Sequence, residues 1–201
     1  VITAHSLAPL RPWKAEQLGG GYRLSSWIES TAFAGAAKII AVSDGMRRDI
    51  LRCYPLLDES KVETVYNGID LAKWKPTHDA EVLAGLGIDS TRPSVVFVGR
   101  ITRQKGLPYL LQAAHHFDPG VQLVLLASSP DTPDILDEVA AGIALLKTER
   151  TGVFWISEMV SKRDLIELFT AATVFVCPSI YEPMGFVNLE ATVRESAGVA
   201  T

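Results

Sequence analysis

Only two cysteines, Cys53 and Cys177, occur in the 201 residues, and they match no metal-binding or redox spacing. Cys177, inside the apolar run TVFVCPS, reads as a buried core thiol in a reducing cytosol. Basic residues are not in excess: 19 Lys and Arg against 23 Asp and Glu leave a net charge of −4, which gives no support for nonspecific nucleic-acid binding. No uninterrupted apolar run approaches the ~20 residues that span a bilayer. The first residues lack the basic-then-apolar order of a secretion signal, so the expected compartment is the cytoplasm. There is no Asp-x-Asp pair and no His/Cys cluster, so no metal is expected to be required. The run GGGY at 19–22 lacks the Lys-Ser/Thr that would make it a phosphate-binding Walker loop. Sequence repeats and low-complexity segments are also missing.

What is present is an alternation of short apolar runs and amphipathic stretches. Seven runs read as strands: 1–6, 38–43, 62–68, 94–99, 122–128, 152–157 and 173–179. Their near-continuous apolarity suits strands covered on both faces. Helical patterns lie between them. Residues 44–53 follow a plausible N-cap at Ser43. Residues 107–117 carry Leu107, Leu110, Leu111 and Ala114 on one face, with Pro108 in the first turn. Residues 133–148 carry Leu136, Val139, Ile143 and Leu146, and Ser161-x-x-Asp164 opens a further helix with Leu165, Leu168, Phe169 and Ala172 inward. Strand, helix, strand repeated is the signature of a doubly wound parallel sheet. A more polar stretch with Pro76 and Pro93 breaks the pattern. It places one α/β lobe at 1–74, a linker holding His78 at 75–93, and a second lobe at 94–201.

Ligands of open parallel sheets sit beyond the carboxyl ends of the strands. Gly99-Arg100, Ser157-Glu158 and Ser179-Ile180 all follow strands there and can converge on one pocket. Arg100 and Lys105 supply two cations after a strand end, in VVFVGRITRQKG. Glu182 and Glu190 supply two carboxylates around a helix start, in PSIYEPMGFVNLEA. Taken singly, such cations form a solvated face and such carboxylates favour a helix dipole. Together they suit a site for a nucleoside diphosphate sugar, because fixed cations stabilise a departing diphosphate more in the transition state than before it.

At these motifs the chain resembles the retaining glycosyltransferases of the GT-B fold, and within them the bacterial glycogen synthase type that uses ADP-glucose. The pattern G-R-x-x-x-x-K-G is met by Gly99, Arg100, Lys105 and Gly106, and E-x7-E by Glu182 and Glu190. YNGID at 66–70 and the opening VITAHSLAPLRPWKAEQLGGGY, with His5, match the same type.

The resemblance implies an α/β fold of two Rossmann-like lobes, both incomplete in a fragment of a longer enzyme. It implies diphosphate binding by Arg100 and Lys105, ribose binding by Glu190, and a catalytic or sugar-positioning role for Glu182 and His5. Backbone atoms of Met184, Gly185, Phe186 and Val187 would face donor sugar or phosphate, and Met159 and Val160 would border the nucleobase. Arg11–Tyr22 would form an acceptor-side loop; Arg103, His115 and His116 receive no role.

The activity implied is glucosyl transfer from ADP-glucose to an α-1,4-glucan, as in glycogen synthesis, or to a glucosyl phosphate. Alternatives are a UDP-sugar enzyme of the sucrose-phosphate or glycosyl-inositol type, or a nucleotide-binding module without turnover. The partners expected are donor and acceptor sugars, with neither nucleic acid nor membrane. The fragment itself is expected to be inactive and to self-associate through an unpaired sheet edge. Two departures stand out: TVRESAGVAT follows Glu190-Ala191, with Thr192 and Arg194 making that helix more polar, and SSPDTP at 128–133 replaces a turn that commonly holds glycine.

Overall fold

The structure, a computed structural model, describes residues 1–75, 79–193 and 197–200. His78 and Arg194 lie outside the described residues. The chain divides into two compact units, one of residues 1–68 with 181–186, the other of 69–180 with 187–201.

The first unit runs β1 (Ile2–Ala4), α1 (Lys14–Leu18), α2 (Gly21–Gly35), β2 (Ile39–Ala41), α3 (Asp44–Cys53) and β3 (Val62–Thr64). The strands are parallel in the order β1-β2-β3, with Ile2 opposite Ile39 and Ile39 opposite Val62. Leu7, Phe33, Ile39, Met46, Ile50 and Val62 form its core. Ser43 caps α3 as the sequence predicts, its hydroxyl accepting from the Met46 N–H at 3.0 Å. The expected loop at 11–22 instead contains α1 and the first turn of α2.

The second unit runs α4 (Ala80–Gly85), β4 (Ser94–Arg100), α5 (Leu107–Ala114), β5 (Gln122–Ser128), α6 (Pro133–Glu149), β6 (Val153–Ile156), α7 (Lys162–Ala171), β7 (Val174–Cys177), α8 (Phe186–Thr192, whose first residue groups with the first unit) and β8 (Ala197–Ala200). Its five strands are parallel in the order β6-β5-β4-β7-β8. Alternation along the strands covers both faces. Phe97, Leu123 and Leu125 pack with α5 and α6 through Leu107, Leu111, Ile135, Val139 and Leu146. Val96 and Val124 pack on the opposite face with Leu83, Ile88 and Leu168. Each such aliphatic side chain contributes about 1.5–3 kcal/mol by leaving water. The capping box at Ser161 and Asp164 forms in full.

The boundary falls earlier than the composition suggested. Trp74 packs with Ile166, Phe169 and Phe175, and Leu83 and Ile88 are buried under the second sheet. The polar stretch expected as a linker therefore joins the second unit through its few large apolar residues, and 181–186 returns to the first.

Candidate functional site

The strand order places β4 at the reversal of the second sheet, with β5 on one side and β7 on the other. Connections leave those neighbours in opposite directions, and a crevice opens beyond the carboxyl ends. Gly99 and Arg100 end β4 there. The chain then turns through Arg103–Lys105, where the buried Thr102 hydroxyl accepts from the Lys105 N–H at 3.2 Å. Gly106 follows at φ +65, and a Cβ there would lie 1.9 Å from the Pro178 carbonyl oxygen. The Ile180 N–H donates to the Gln104 carbonyl at 2.8 Å. The exits of β4 and β7 are thus stitched together at a position only glycine can occupy. The Lys105 stem passes Gly99, its Cδ 3.7 Å from where a Cβ would stand.

A cleft of about 470 Å³ lies beside this exit, lined by Gly99, Arg100, Ser128, Ser129, Glu158, Met159, Val160 and Lys162 among others. It joins two of the three strand exits predicted to converge; Ser179-Ile180 is not in its lining. Arg100 is exposed and donates to the largely buried Asp131 carboxylate at 2.7 Å. Asp131 is brought there by the turn SSPDTP. Ser129 adopts φ +53, a left-handed conformation costing about 1–2 kcal/mol without glycine. It is held by bonds from the Ile101 N–H to the Ser128 carbonyl (2.9 Å) and from the Asp131 N–H to the Ile101 carbonyl (3.1 Å). The departure from a glycine turn therefore creates the partner of Arg100, which motif reading did not select.

Glu190, on α8, is half-buried, and burial raises its carboxyl above the ordinary glutamate range, with the Lys162 charge opposing. Lys162 also lies 4.6 Å over the Trp74 ring. Met159 is fully exposed. Among the described residues, no group of three or more His, Cys, Asp and Glu stands ready to hold a metal ion.

Val187 packs with the Trp74 and Phe169 cluster of the second unit, and His5, Glu182, Met184, Gly185 and Phe186 group in the first. His5 follows β1 and is exposed. Glu182 folds over Gly185, where a Cβ would meet its carboxyl carbon at 3.0 Å. The segment is anchored to α3: the Ser43 hydroxyl donates to the Pro183 carbonyl at 2.8 Å while capping the helix, and Met184 packs on the first core. The Tyr181 hydroxyl reaches the Met46 sulfur at 3.9 Å. Beyond β1, the Ala8 N–H donates to Glu29 at 2.8 Å and its carbonyl accepts from the Tyr22 hydroxyl at 2.7 Å. Tyr54 also donates to Glu29. No motif flagged Glu29 or Tyr22.

Two residues given no role have structural ones. Arg103 pairs with Glu138 at 2.5 Å, and His115 holds Glu149 at 2.5 Å, tying the end of α5 to α6.

The open parallel sheet and its cation-bearing exit place the chain among α/β proteins that take ligands at strand carboxyl ends. It belongs to the glycosyl transferases group 1 family, which residues 79–201 match, and residues 1–73 match Glycosyltransferase Family 4. Over its whole length it is 58% identical to 53% of an alpha-maltose-1-phosphate synthase from Mycolicibacterium smegmatis. The chain thus spans about half the length of the curated relatives it matches. Two GT-B structures share its fold. Sucrose-phosphate synthase from Thermosynechococcus elongatus has a TM-score of 0.75 at 24% identity, over 99% of this chain and 49% of that one. The Anabaena protein HepE, in complex with UDP-glucose, has a TM-score of 0.76 at 20% identity, over 99% and 52%. No helix among the described residues is long and apolar enough to cross a membrane.

Proposed function

We propose that this chain carries the donor-binding and catalytic residues of a retaining hexosyltransferase that moves glucose from ADP-glucose to a glucosyl phosphate, forming maltose 1-phosphate. The observation that carries this reading is the 58% identity, across the entire chain, to a protein named for that product. The cation-bearing cleft at the β4 exit supports it independently.

In this reading Arg100 and Lys105 hold the diphosphate. Arg gives forked hydrogen bonds and Lys a mobile point charge. Glu190 accepts from the ribose hydroxyls, and Met159 and Val160 border the base. His5 and Glu182 position the transferred glucose, with the backbone of Met184, Gly185, Phe186 and Val187 facing sugar or phosphate. The bond from the anomeric carbon to the diphosphate oxygen breaks as a bond to the acceptor hydroxyl oxygen forms on the same face. The acceptor proton passes to the departing phosphate, and configuration is retained.

Transfer to an α-1,4-glucan is the second reading, favoured by the motif match to glycogen synthases. In the full-length enzyme, labelled ADP-glucose and UDP-glucose, each offered glucose 1-phosphate and glycogen, separate the cases. Label in maltose 1-phosphate from ADP-glucose is the expected result. Label in glycogen alone selects the glucan reading, and transfer from UDP-glucose alone overturns the donor. Nucleotide binding with no transfer leaves a binding module.

A further inference from the structure

We propose that the segment following β1 holds the phosphate of the acceptor sugar, with Arg11 as its cation and the indole N–H of Trp13 as a second donor. This rests on the glucosyl phosphate reading above and adds the group that selects that acceptor.

The segment has a rigid stem. Leu7 and Ala8 are buried, at 0% and 3% exposure. Both backbone polar groups of Ala8 are claimed by α2 side chains, the N–H by Glu29 and the carbonyl by Tyr22. Pro9 and Pro12 flank Leu10 and Arg11 and fix φ at both positions. Arg11 therefore projects from a stem with little freedom.

Its donors are unsatisfied. Four buried side-chain polar atoms lack a hydrogen-bond partner among the described residues: Arg11 Nε, Trp13 Nε1, Arg150 Nε and Asn188 Oδ1. Two of the four fall within three consecutive residues. Leaving a buried donor unpaired costs about 1–3 kcal/mol, and roughly nine in ten such groups avoid it. Arg150 has an evident structural use, since its other nitrogens donate to the carbonyls of Ala114, Phe117, Asp118 and Val121. Arg11 has no such set. Arg47, Arg52, Arg100, Arg103 and Arg163 each hold a carboxylate, whereas Arg11 holds none among the described residues.

A cation without an anion and an indole N–H without an acceptor, on a pinned segment, are complementary to a phosphate monoester. Its oxygens accept from both, and its charge matches the guanidinium. An uncharged glucan end supplies no such counter-charge. Lys14 follows at the start of α1, bonded to Gln17 at 2.5 Å, and adds a second positive charge to the same stretch. His5 lies on the same segment, six positions before Arg11, so one piece of chain would carry both a sugar-positioning group and the acceptor anchor.

The test uses the indole N–H signals of the four tryptophans in a ¹⁵N-labelled chain. The Trp13 signal is assigned by its loss in Trp13→Phe. Glucose 1-phosphate is expected to shift it saturably, inorganic phosphate to shift it more weakly, and glucose not at all. Arg11→Gln is expected to weaken glucose 1-phosphate by about tenfold or more, the scale of one charge-assisted bond, and Arg11→Lys to restore part of that. ADP affinity should stay within about twofold in all three variants, and the Trp27 indole signal of the first unit should keep its position, showing that both units remain folded. A Trp13 signal unmoved by glucose 1-phosphate, or Arg11→Gln binding it as the unaltered chain does, overturns the inference while ADP binding keeps the donor reading intact. Glucose shifting Trp13 as strongly as glucose 1-phosphate overturns it too. Failure of the unaltered chain to bind ADP overturns the donor reading, and with it this one.

Discussion

The two units solve the same problem with different materials. The second has five parallel strands of up to seven residues, and its candidate site residues come largely from strand exits at the sheet's reversal. The first has three strands of three residues each. Its candidate residues lie on a segment after β1 and on 181–186, which returns from far along the chain. A site at a sheet reversal is fixed by backbone topology, so its weak points are backbone positions. A site on pinned segments is fixed by side-chain hydrogen bonds, so its weak points are Ser43, Glu29 and Tyr22. The largest test of this contrast is Gly106→Ala. The new Cβ meets a backbone carbonyl at 1.9 Å at φ +65, and strain of about 1–3 kcal/mol is joined by displacement of the Pro178 turn. Hydrogen exchange is expected to rise across β4 and β7 and stay unchanged in β1–β3. Equal loss in both units would mean that the division is not energetic.

That contrast also explains what could be read in advance. All seven predicted strands form, because each carries a short apolar run; the central strands β4 and β5 are covered on both faces, while Thr3 in β1 and Glu63 in β3 stay exposed. The helices with a clear apolar stripe, α5, α6 and α7, were legible for the same reason. Helix α2 was not: Phe33 is its only buried residue, while Leu24, Trp27 and Ile28 are exposed, so no inward face shows in the pattern. The Asp131 partner of Arg100 and the Glu29 clamp on Ala8 were also illegible. Both depend on residues 31 and 21 positions apart meeting in space, which periodicity does not encode. The return of 181–186 to the first unit involves single side chains such as the Ser43 hydroxyl, the packed Met184 and Tyr181 on Met46, which composition does not reveal.

Arg100→Ala comes next in size. Loss of a charge-assisted phosphate contact is expected to weaken ADP by about 10- to 100-fold in calorimetry. Asp131→Ala sharpens the point. If Asp131 acts by orienting Arg100, its effect on ADP affinity disappears in the Arg100→Ala background, as a double-mutant cycle reads directly. Additive effects would detach Asp131 from the site.

For the first unit the corresponding test is Ser43→Ala. It removes the α3 cap and the tether to Pro183 together and is expected to cost about 1–2 kcal/mol in denaturant unfolding. Ser43→Asp keeps a capping acceptor and cannot donate to Pro183. It should restore α3 stability while leaving exchange at 181–186 elevated. Full restoration of both would show that the tether contributes nothing.

The smallest effect expected is a pH dependence confined to the second unit. Burial holds the Glu190 carboxyl above the ordinary glutamate range, and the charge of Lys162 partly offsets it. In the proposed role, ribose hydroxyls would donate to the ionised carboxylate. Because the pKa is raised, the ionised form is lost earlier as pH falls, so ADP affinity should begin to decline at a higher pH than an ordinary glutamate would give. The decline should be about two- to fivefold, the worth of one modest hydrogen bond. Glu190→Gln should weaken ADP at neutral pH and flatten that acid limb. Lys162→Ala removes the opposing charge and should move the limb to still higher pH. Glu182→Gln, altering the carboxylate of the first unit, should leave ADP affinity and its pH profile unchanged while depressing turnover. If Glu182→Gln flattens the limb and Glu190→Gln does not, the two carboxylates have exchanged roles, and the division of labour between the units fails with them.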